Sequence, residues 1–380
     1  MKITTALLMV LASSVVAACA AEKGSVGLLS PTLSSRGGEG AGRVYKVLAF
    51  TEFFRRTNGW VSGDGAISVP LSDGRVLWLF GDSHLDDYDA KTGTTACLFQ
   101  CRNAGLLQAS ETDLKTARTL RTTKPIFKSW FKNSTNENLW FWPMCGFQNK
   151  DAVYIYLSAL KKTGEGMWGF GSAGNEFWGK VAFPSMEVVD YVPLPAFDGV
   201  QMGQGFVEDG NWIYAFGSKA RGVGSDVVVA RFKSGEPIRW GFWNGTDWNG
   251  ASTNAAAVGR ANVGVHVCLV RGKYVLTTGT LSIAADGGRD IFMATSDKPT
   301  GPFSELTKVW TVDDTYRGHI PFWYIPQAHP EFINKGGEIL VTYSINGYEP
   351  AVKACVDGRA IPDHYRPKAI RVPLRMIGIK

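Results

Sequence analysis

One hairpin recurs five times along the chain, and a repeat at this spacing limits the fold more tightly than composition does. Each copy is an apolar strand, a polar turn containing Gly or a charged residue, and a second strand rich in aromatic and β-branched residues. The first copy covers residues 66–71, turns at Ser72-Asp73-Gly74 and returns over 76–81. The others turn at Asn149-Lys150-Asp151, Asp209-Gly210-Asn211, Arg271-Gly272-Lys273 and Lys335-Gly336-Gly337. Measured between middle turn residues, successive copies lie 77, 60, 62 and 64 residues apart, which is room for four strands with loops. Further strand pairs at 180–191, 227–240 and 291–310 fill the second half of three steps. Four-stranded sheets repeated radially form a β-propeller, which leaves only short edges to protect. The expected fold is therefore all-β, a five-bladed β-propeller with four-stranded antiparallel blades in one domain over 44–380. A two-sheet sandwich is the alternative, and the regular spacing argues against it. The run 44–50 alternates apolar with polar residues and should close the ring by pairing into the last blade near 369–376.

Composition agrees: 44 glycines and 13 tryptophans with only 19% charged residues suit short strands and tight turns. The net charge of +6 comes with no run of five basic residues, so nucleic acid is not an expected partner. Met1-Lys2, the apolar run 6–16 and small residues after it form a secretory signal over 1–19. Val16-Ala17-Ala18-Cys19 resembles a bacterial lipobox, which implies lipidation at Cys19 and a place in the periplasm or at the outer membrane. Cleavage at the A-x-A pattern Ala18-Cys19-Ala20 is the alternative. Residues 20–43 read as a flexible tether, so a membrane is a partner only through that anchor. Export permits disulfides, but the five cysteines beyond Cys19 are odd in number, so at least one stays free. Cys97 and Cys101 are close enough to pair locally, whereas Cys145 and Cys268 lie in apolar runs as core thiols.

Propeller chemistry gathers at the rim where inner strands begin. A three-residue loop with Gly74 in the left-handed region pairs Leu71 with Arg75, and that register sets Asp64 directly across from Asp82. Direct partners hold their Cβ atoms roughly 4.5–5.5 Å apart. Two such carboxylates repel, so one keeps a proton while the other ionises. That division suits glycoside hydrolysis, with one group as acid and the other as nucleophile or base; a separation of about 5 Å suits retention. Each aspartate taken singly also reads as an ordinary turn residue.

The matching positions of the other blades carry Trp140 and Trp142, Gln204, Asn262, and Gln327 with His329, followed on the second strands by Ser158, Ser218, Thr280, Ser344 and Asn346. Amides, hydroxyls and indoles around one acidic pair suit a sugar. The substrate-binding candidates are thus His84, Trp140, Trp142, Gln204, Asn262, Gln327 and His329. His266, between Val265 and Val267, reads as an interior histidine. The acids of 82–89 offer oxygen ligands for a structural calcium but lack the Gly and Glu of an EF-hand loop, and no metal or cofactor is assigned. No C-x-x-C zinc pattern, G-x-S-x-G elbow or phosphate loop occurs.

The run Gly59-Trp60-Val61-Ser62-Gly63-Asp64-Gly65, continuing to Trp78-Leu79-Phe80-Gly81-Asp82-Ser83, resembles the opening blade of the bacterial propellers of domain-of-unknown-function families 4185 and 5005. The former is glycoside hydrolase family 183, endo-acting on α-D-arabinofuranose chains of mycobacterial arabinogalactan and lipoarabinomannan. The resemblance implies a catalytic role for Asp64 and Asp82 and an arabinan-like polysaccharide as partner. It is specific over about 25 residues. Ser296–Phe303 and Ala328-His329-Pro330-Glu331-Phe332 are similar to late blades of five-bladed furanosidases. A non-catalytic glycan-binding surface lipoprotein is the rival expectation.

Overall fold

The computed structural model describes residues 42–99, 101–122, 129–132, 138–164, 169–282, 286–348 and 354–380. The leader, Cys19 and all but the end of the expected tether lie outside the described residues. The described chain forms a five-bladed propeller. The first blade consists of Trp60–Pro70, Val76–Leu85, Ala104–Gln108 and Ala117–Leu120. The second is Leu139–Asn149, Ala152–Lys162, Phe170–Ala182 and Glu187–Pro193. The third is Phe206–Asp209, Trp212–Arg221, Gly224–Lys233 and Gly241–Phe242, with Gly259–Ala261 added against its third strand. The fourth is Val263–Val270, Lys273–Gly279, Asp290–Ser296 and Thr307–Thr311. The fifth takes Phe322–His329, Glu338–Asn346 and Lys368–Pro373 from the end of the chain and Tyr45–Lys46 from its beginning.

All five hairpin turns fall where the repeat places them. In the first, the Leu71 N–H donates to the Arg75 carbonyl at 2.9 Å, and Gly74 sits at φ 84°. Inner strands are apolar on both faces because each blade is packed between two neighbours. Ile67, Val69, Leu77 and Leu79 join Phe141, Val153 and Ile155 of the second blade, while Trp78 and Phe80 turn the other way.

The ring closes as expected, with Tyr45 opposite Arg371 and Lys46 opposite Ile370. The closing strand is only these two residues, however, and Leu48–Phe53 is a helix. The short alternation of 44–50 hid the helical spacing of Phe50, Phe53 and Phe54, which all pack on Trp78 with ring centroids 5.2–6.3 Å apart.

A second correction concerns the cysteines. Cys97 bonds to Cys355, 258 residues away, and not to Cys101, whose buried thiol donates to the Ser83 carbonyl at 3.4 Å; Cys145 and Cys268 are buried thiols, as expected. The disulfide lies beside a small ribbon in which Thr95 pairs with Ala360 and Ala96 with Arg359. It therefore ties a loop of the first blade to a loop of the fifth, and the gain from such a long closed loop is large in chain-entropy terms.

Four of the five inner strands share a further feature, a break in the ladder part-way along the hairpin. Between Pro143↔Leu157 and Gly146↔Ile155, Val263↔Gly279 and His266↔Thr277, and Tyr324↔Ser344 and Gln327↔Thr342, the inner strand holds one residue more than its partner. These are β-bulges, which bend a strand and re-aim side chains. Gly264 at φ 73° and Ile325 at φ 53° make two of them.

Candidate active site

Asp64 and Asp82 meet at the corresponding break in the first blade. Gly63 pairs with Ser83 and Gly65 with Phe80, so Asp64 lies across from Gly81 and Asp82 together. The turn-derived register holds from Ile67 to Pro70 and again at Ser62 and Gly63, but slips between them. Gly65 at φ 108° and Ala66 at φ 53° cause the slip. The pair is therefore brought together by a bulge, not by a direct cross-strand pairing. Gly81 makes room for it: a Cβ there would lie 2.4 Å from Asp64 Oδ1 and 3.7 Å from the Trp142 ring.

Each carboxyl has its own partners. Asp64 Oδ2 accepts hydrogen bonds from the hydroxyls of Tyr324 at 2.7 Å and Tyr365 at 2.9 Å. Asp82 Oδ1 accepts from the Trp142 indole at 3.3 Å, and Arg102 Nη1 stands 3.3 and 3.4 Å from its two oxygens. Asp64 is half-buried, and Asp82 is only 4% exposed.

Burial pushes the Asp64 carboxyl up to about 6, against the pull of the two phenol hydrogen bonds. Burial also pushes Asp82 up to about 7; Arg102 opposes this and the Asp64 charge adds to it. Each charge disfavours the other, so ionising one carboxyl holds the proton on its neighbour more tightly. Burial and the Asp64 charge hold the Tyr324 and Tyr365 phenols well above their usual range, so both remain donors.

The surroundings fix this geometry. Arg102 lies over the Trp140 ring at 4.3 Å and the Phe99 ring at 5.3 Å, a cation–π contact that holds the guanidinium beside Asp82. Gly65 N–H donates to Ser344 Oγ at 2.9 Å, so the first blade's bulge is satisfied from the fifth blade. Arg102 and Tyr365 both sit on the loops that the Cys97–Cys355 bond ties together.

The remaining sequence candidates divide. Trp142 reaches the pair directly and Trp140 acts through Arg102. Asn262 is half-buried beside the fourth-blade bulge, its N–H donating to Thr278 Oγ1 at 3.1 Å. His84 is fully buried with its ring nitrogens on Asp87 at 2.9 Å and Tyr348 at 2.7 Å, so it supports Tyr348 and does not face the funnel. Gln204, Gln327 and His329 are at most 5% exposed. His329 bonds Ser68 at 2.6 Å and Thr342 at 2.8 Å, and burial keeps it neutral. It closes its strand instead of opening it: the strand begins at Phe322, which makes Tyr324 the rim residue.

His266 is interior, as expected, accepting from Ala328 N–H at 3.2 Å, and burial pushes its pKa down to about 3. The acids of 86–89 do not converge, since Asp86 binds Arg121, Asp87 binds His84 and Asp89 turns onto Lys91 and Thr92.

Sequence reading missed Arg102, Tyr324, Tyr365 and Glu176. Glu176 pairs with Ser158, itself the partner of Trp142, and burial pushes it up to about 8.

Among curated proteins, none matches this chain. Among solved structures, a candidate hydrolase from Bacteroides ovatus superposes with a TM-score of 0.69 at 17% identity, over 92% of this chain and 97% of that one. An enzyme of glycoside hydrolase family 43, subfamily 1, from Xanthomonas citri gives 0.46 at 14% identity, over 86% and 92% of the two chains. An α-L-arabinofuranosidase from Clostridium thermocellum gives 0.46 at 13% identity, over 84% and 92%. The Bacteroides ovatus likeness is one of fold. At the level of sequence, the model of the domain of unknown function DUF5005 matches residues 48–374, and the chain belongs to that family.

Proposed function

We propose that the protein is an exported glycoside hydrolase that uses Asp64 and Asp82 on a polysaccharide. The observation that carries this reading is the acid pair: two carboxyls meeting at a bulge on the inner rim, both raised by burial, to about 6 and about 7. Cleaving a glycosidic bond needs one carboxyl that is protonated and one that is ionised at the same pH. The carboxyl that keeps its proton gives it to the departing sugar oxygen. The ionised partner then attacks the anomeric carbon, or takes a proton from the water that does. Tyr324, Tyr365, Arg102 and the Trp142 indole stabilise the charge left behind, each by a bond already formed.

The Trp142 ring beside the pair supplies an apolar face for a sugar. The Cys97–Cys355 disulfide fits an oxidising compartment, in keeping with the N-terminal leader and a lipid anchor at Cys19. The relative from Bacteroides ovatus, described as a candidate hydrolase, agrees with the reading. The finer assignment is to furanosidic, arabinan-like linkages, on the resemblance of 59–83 to the arabinan-cleaving propellers.

The test is to incubate the protein with arabinans, arabinogalactan, xylan and pectins and to measure new reducing ends. Release from a furanose-containing glycan is expected, with an optimum between about pH 6 and 7. Binding without release from any of them makes the protein a glycan-capture propeller instead.

A further inference from the structure

A cavity of about 420 Å³ lies on the third blade, and neither Asp64 nor Asp82 lines it. Trp212, Trp240 and Trp248 line it together with Arg231, Arg239 and Asn249. Its position is remote from the funnel. Trp212 follows the turn at Asp209-Gly210-Asn211, whereas the rim end of the same strand is marked by the Gln201–Ser218 bridge. Six residues of extended chain separate Trp212 from Ser218, roughly 20 Å.

Arg231 is the centre of this cleft. It lies 4.1 Å from the centroid of the Trp212 ring and 4.6 Å from that of Trp248. Among the described residues no hydrogen bond or ion pair engages its guanidinium, and its contacts are the two indoles. A guanidinium covered on its faces by rings keeps its fork of in-plane N–H donors for a planar anion. Arg239, exposed at the cleft edge, adds a second positive charge and bonds only Glu236, three residues away, at 3.3 Å. Among the described residues that line the cavity there are two guanidiniums and no carboxylate, and Arg231 is the one with no acid paired to it. The partly exposed indoles of Trp212, Trp240 and Trp248 offer flat apolar surface of the kind that packs against the C–H face of a sugar ring. The net charge of +6 favours approach of an acidic polymer.

We infer that this cleft is a second glycan site, separate from the funnel, which binds a carboxylate-bearing sugar with Arg231 on the carboxylate and the indoles on the ring. The choice of a sugar rests on the glycan-processing reading above; the anion and ring chemistry rests on the cleft alone. Such a site holds an acidic polysaccharide while the funnel works on another part of it, which raises effective concentration without adding catalytic contacts.

The experiment is calorimetric titration of the full chain and of its Asp64→Asn variant with trigalacturonate and with the neutral methyl ester of the same trisaccharide. The acid should bind both proteins alike, and at least ten-fold more tightly than the ester. Arg231→Gln and Trp248→Ala should each weaken binding at least ten-fold, while the Asp64→Asn change should not. Absence of binding to both proteins, equal binding of acid and ester, or loss of binding in Asp64→Asn alone overturns the proposal. Thermal melts show whether Arg231→Gln still folds; if it does not, Trp248→Ala and Arg239→Gln decide. Trigalacturonate binding in a protein that cleaves no glycan counts against the proposed activity only. Cleavage with an empty cleft counts against this site only.

Discussion

The first and fourth blades are built on the same hairpin, yet only the first sets two carboxylates at its bulge. Both have a bulge at the same depth. In the fourth blade, Thr278 Oγ donates to the Gly264 carbonyl at 2.7 Å and accepts from Asn262 N–H at 3.1 Å, so the break is satisfied within its own hairpin. In the first blade, Gly65 N–H instead reaches across to Ser344 of the fifth blade, and Asp64 leans on Tyr324 and Tyr365 of that blade. The bulge is thus a property of the scaffold. The buried acid pair is a local addition, and it depends on a neighbour to tolerate its charge.

The largest effect should come from removing that charge. Asp64→Asn and Asp82→Asn should each lower glycan cleavage roughly 1000-fold with the circular dichroism spectrum unchanged, since neither amide can serve as proton donor or base. Near-normal activity in both variants ends the distinction between the two blades.

Gly81→Ala tests the geometry. Its backbone accepts alanine, but the new methyl meets Asp64 Oδ1 at 2.4 Å and must displace it. Activity should fall by about 10- to 100-fold in kcat, because a misplaced reacting group is costly even when all groups remain.

Tyr365→Phe removes one of the two phenol donors that favour the ionised form of Asp64. The Asp64 pKa then rises further, so the acidic limb of the pH–rate profile should move to higher pH by up to about one unit, with a loss of about ten-fold below it. An unmoved limb would separate the phenol from the titration. The smallest effect on activity belongs to the fourth blade. Thr278→Val strips its bulge of both bonds and should cost about 1–3 kcal/mol of stability in urea titration, while cleavage stays within about two-fold.

The hairpins were legible because turn chemistry and strand periodicity are local signals. Gly74, Gly210 and Gly272 mark turns at positive φ that the sequence announces. The acid pair was legible too, although through a register that is right at both ends of the hairpin and slips in the middle. A slip made by Gly65 and Ala66 leaves little trace in sequence, since alanine at positive φ is not a recognised turn signal. The partners were out of reach. Tyr324 and Tyr365 lie 260 and 301 residues from Asp64, and Cys355 lies 258 from Cys97. His329 was set at the rim as a residue preceding the first strand of its blade. In the fold that strand runs Phe322–His329 and passes through Pro326 at the bulge, where no ladder bond between Tyr324 and Gln327 is needed from the proline.

The seam between the last blade and the first has a consequence for the order of events during synthesis. Every phenol that steadies Asp64 is translated after the fourth blade, and the strand that completes the fifth blade is the earliest one described. A partly made chain holds both aspartates but neither Tyr324 nor Tyr365, and its ring is open. The partners of the aspartates therefore arrive late, the ring closes only when the two ends of the circle meet, and a product truncated before Lys368–Pro373 lacks the strand that joins them.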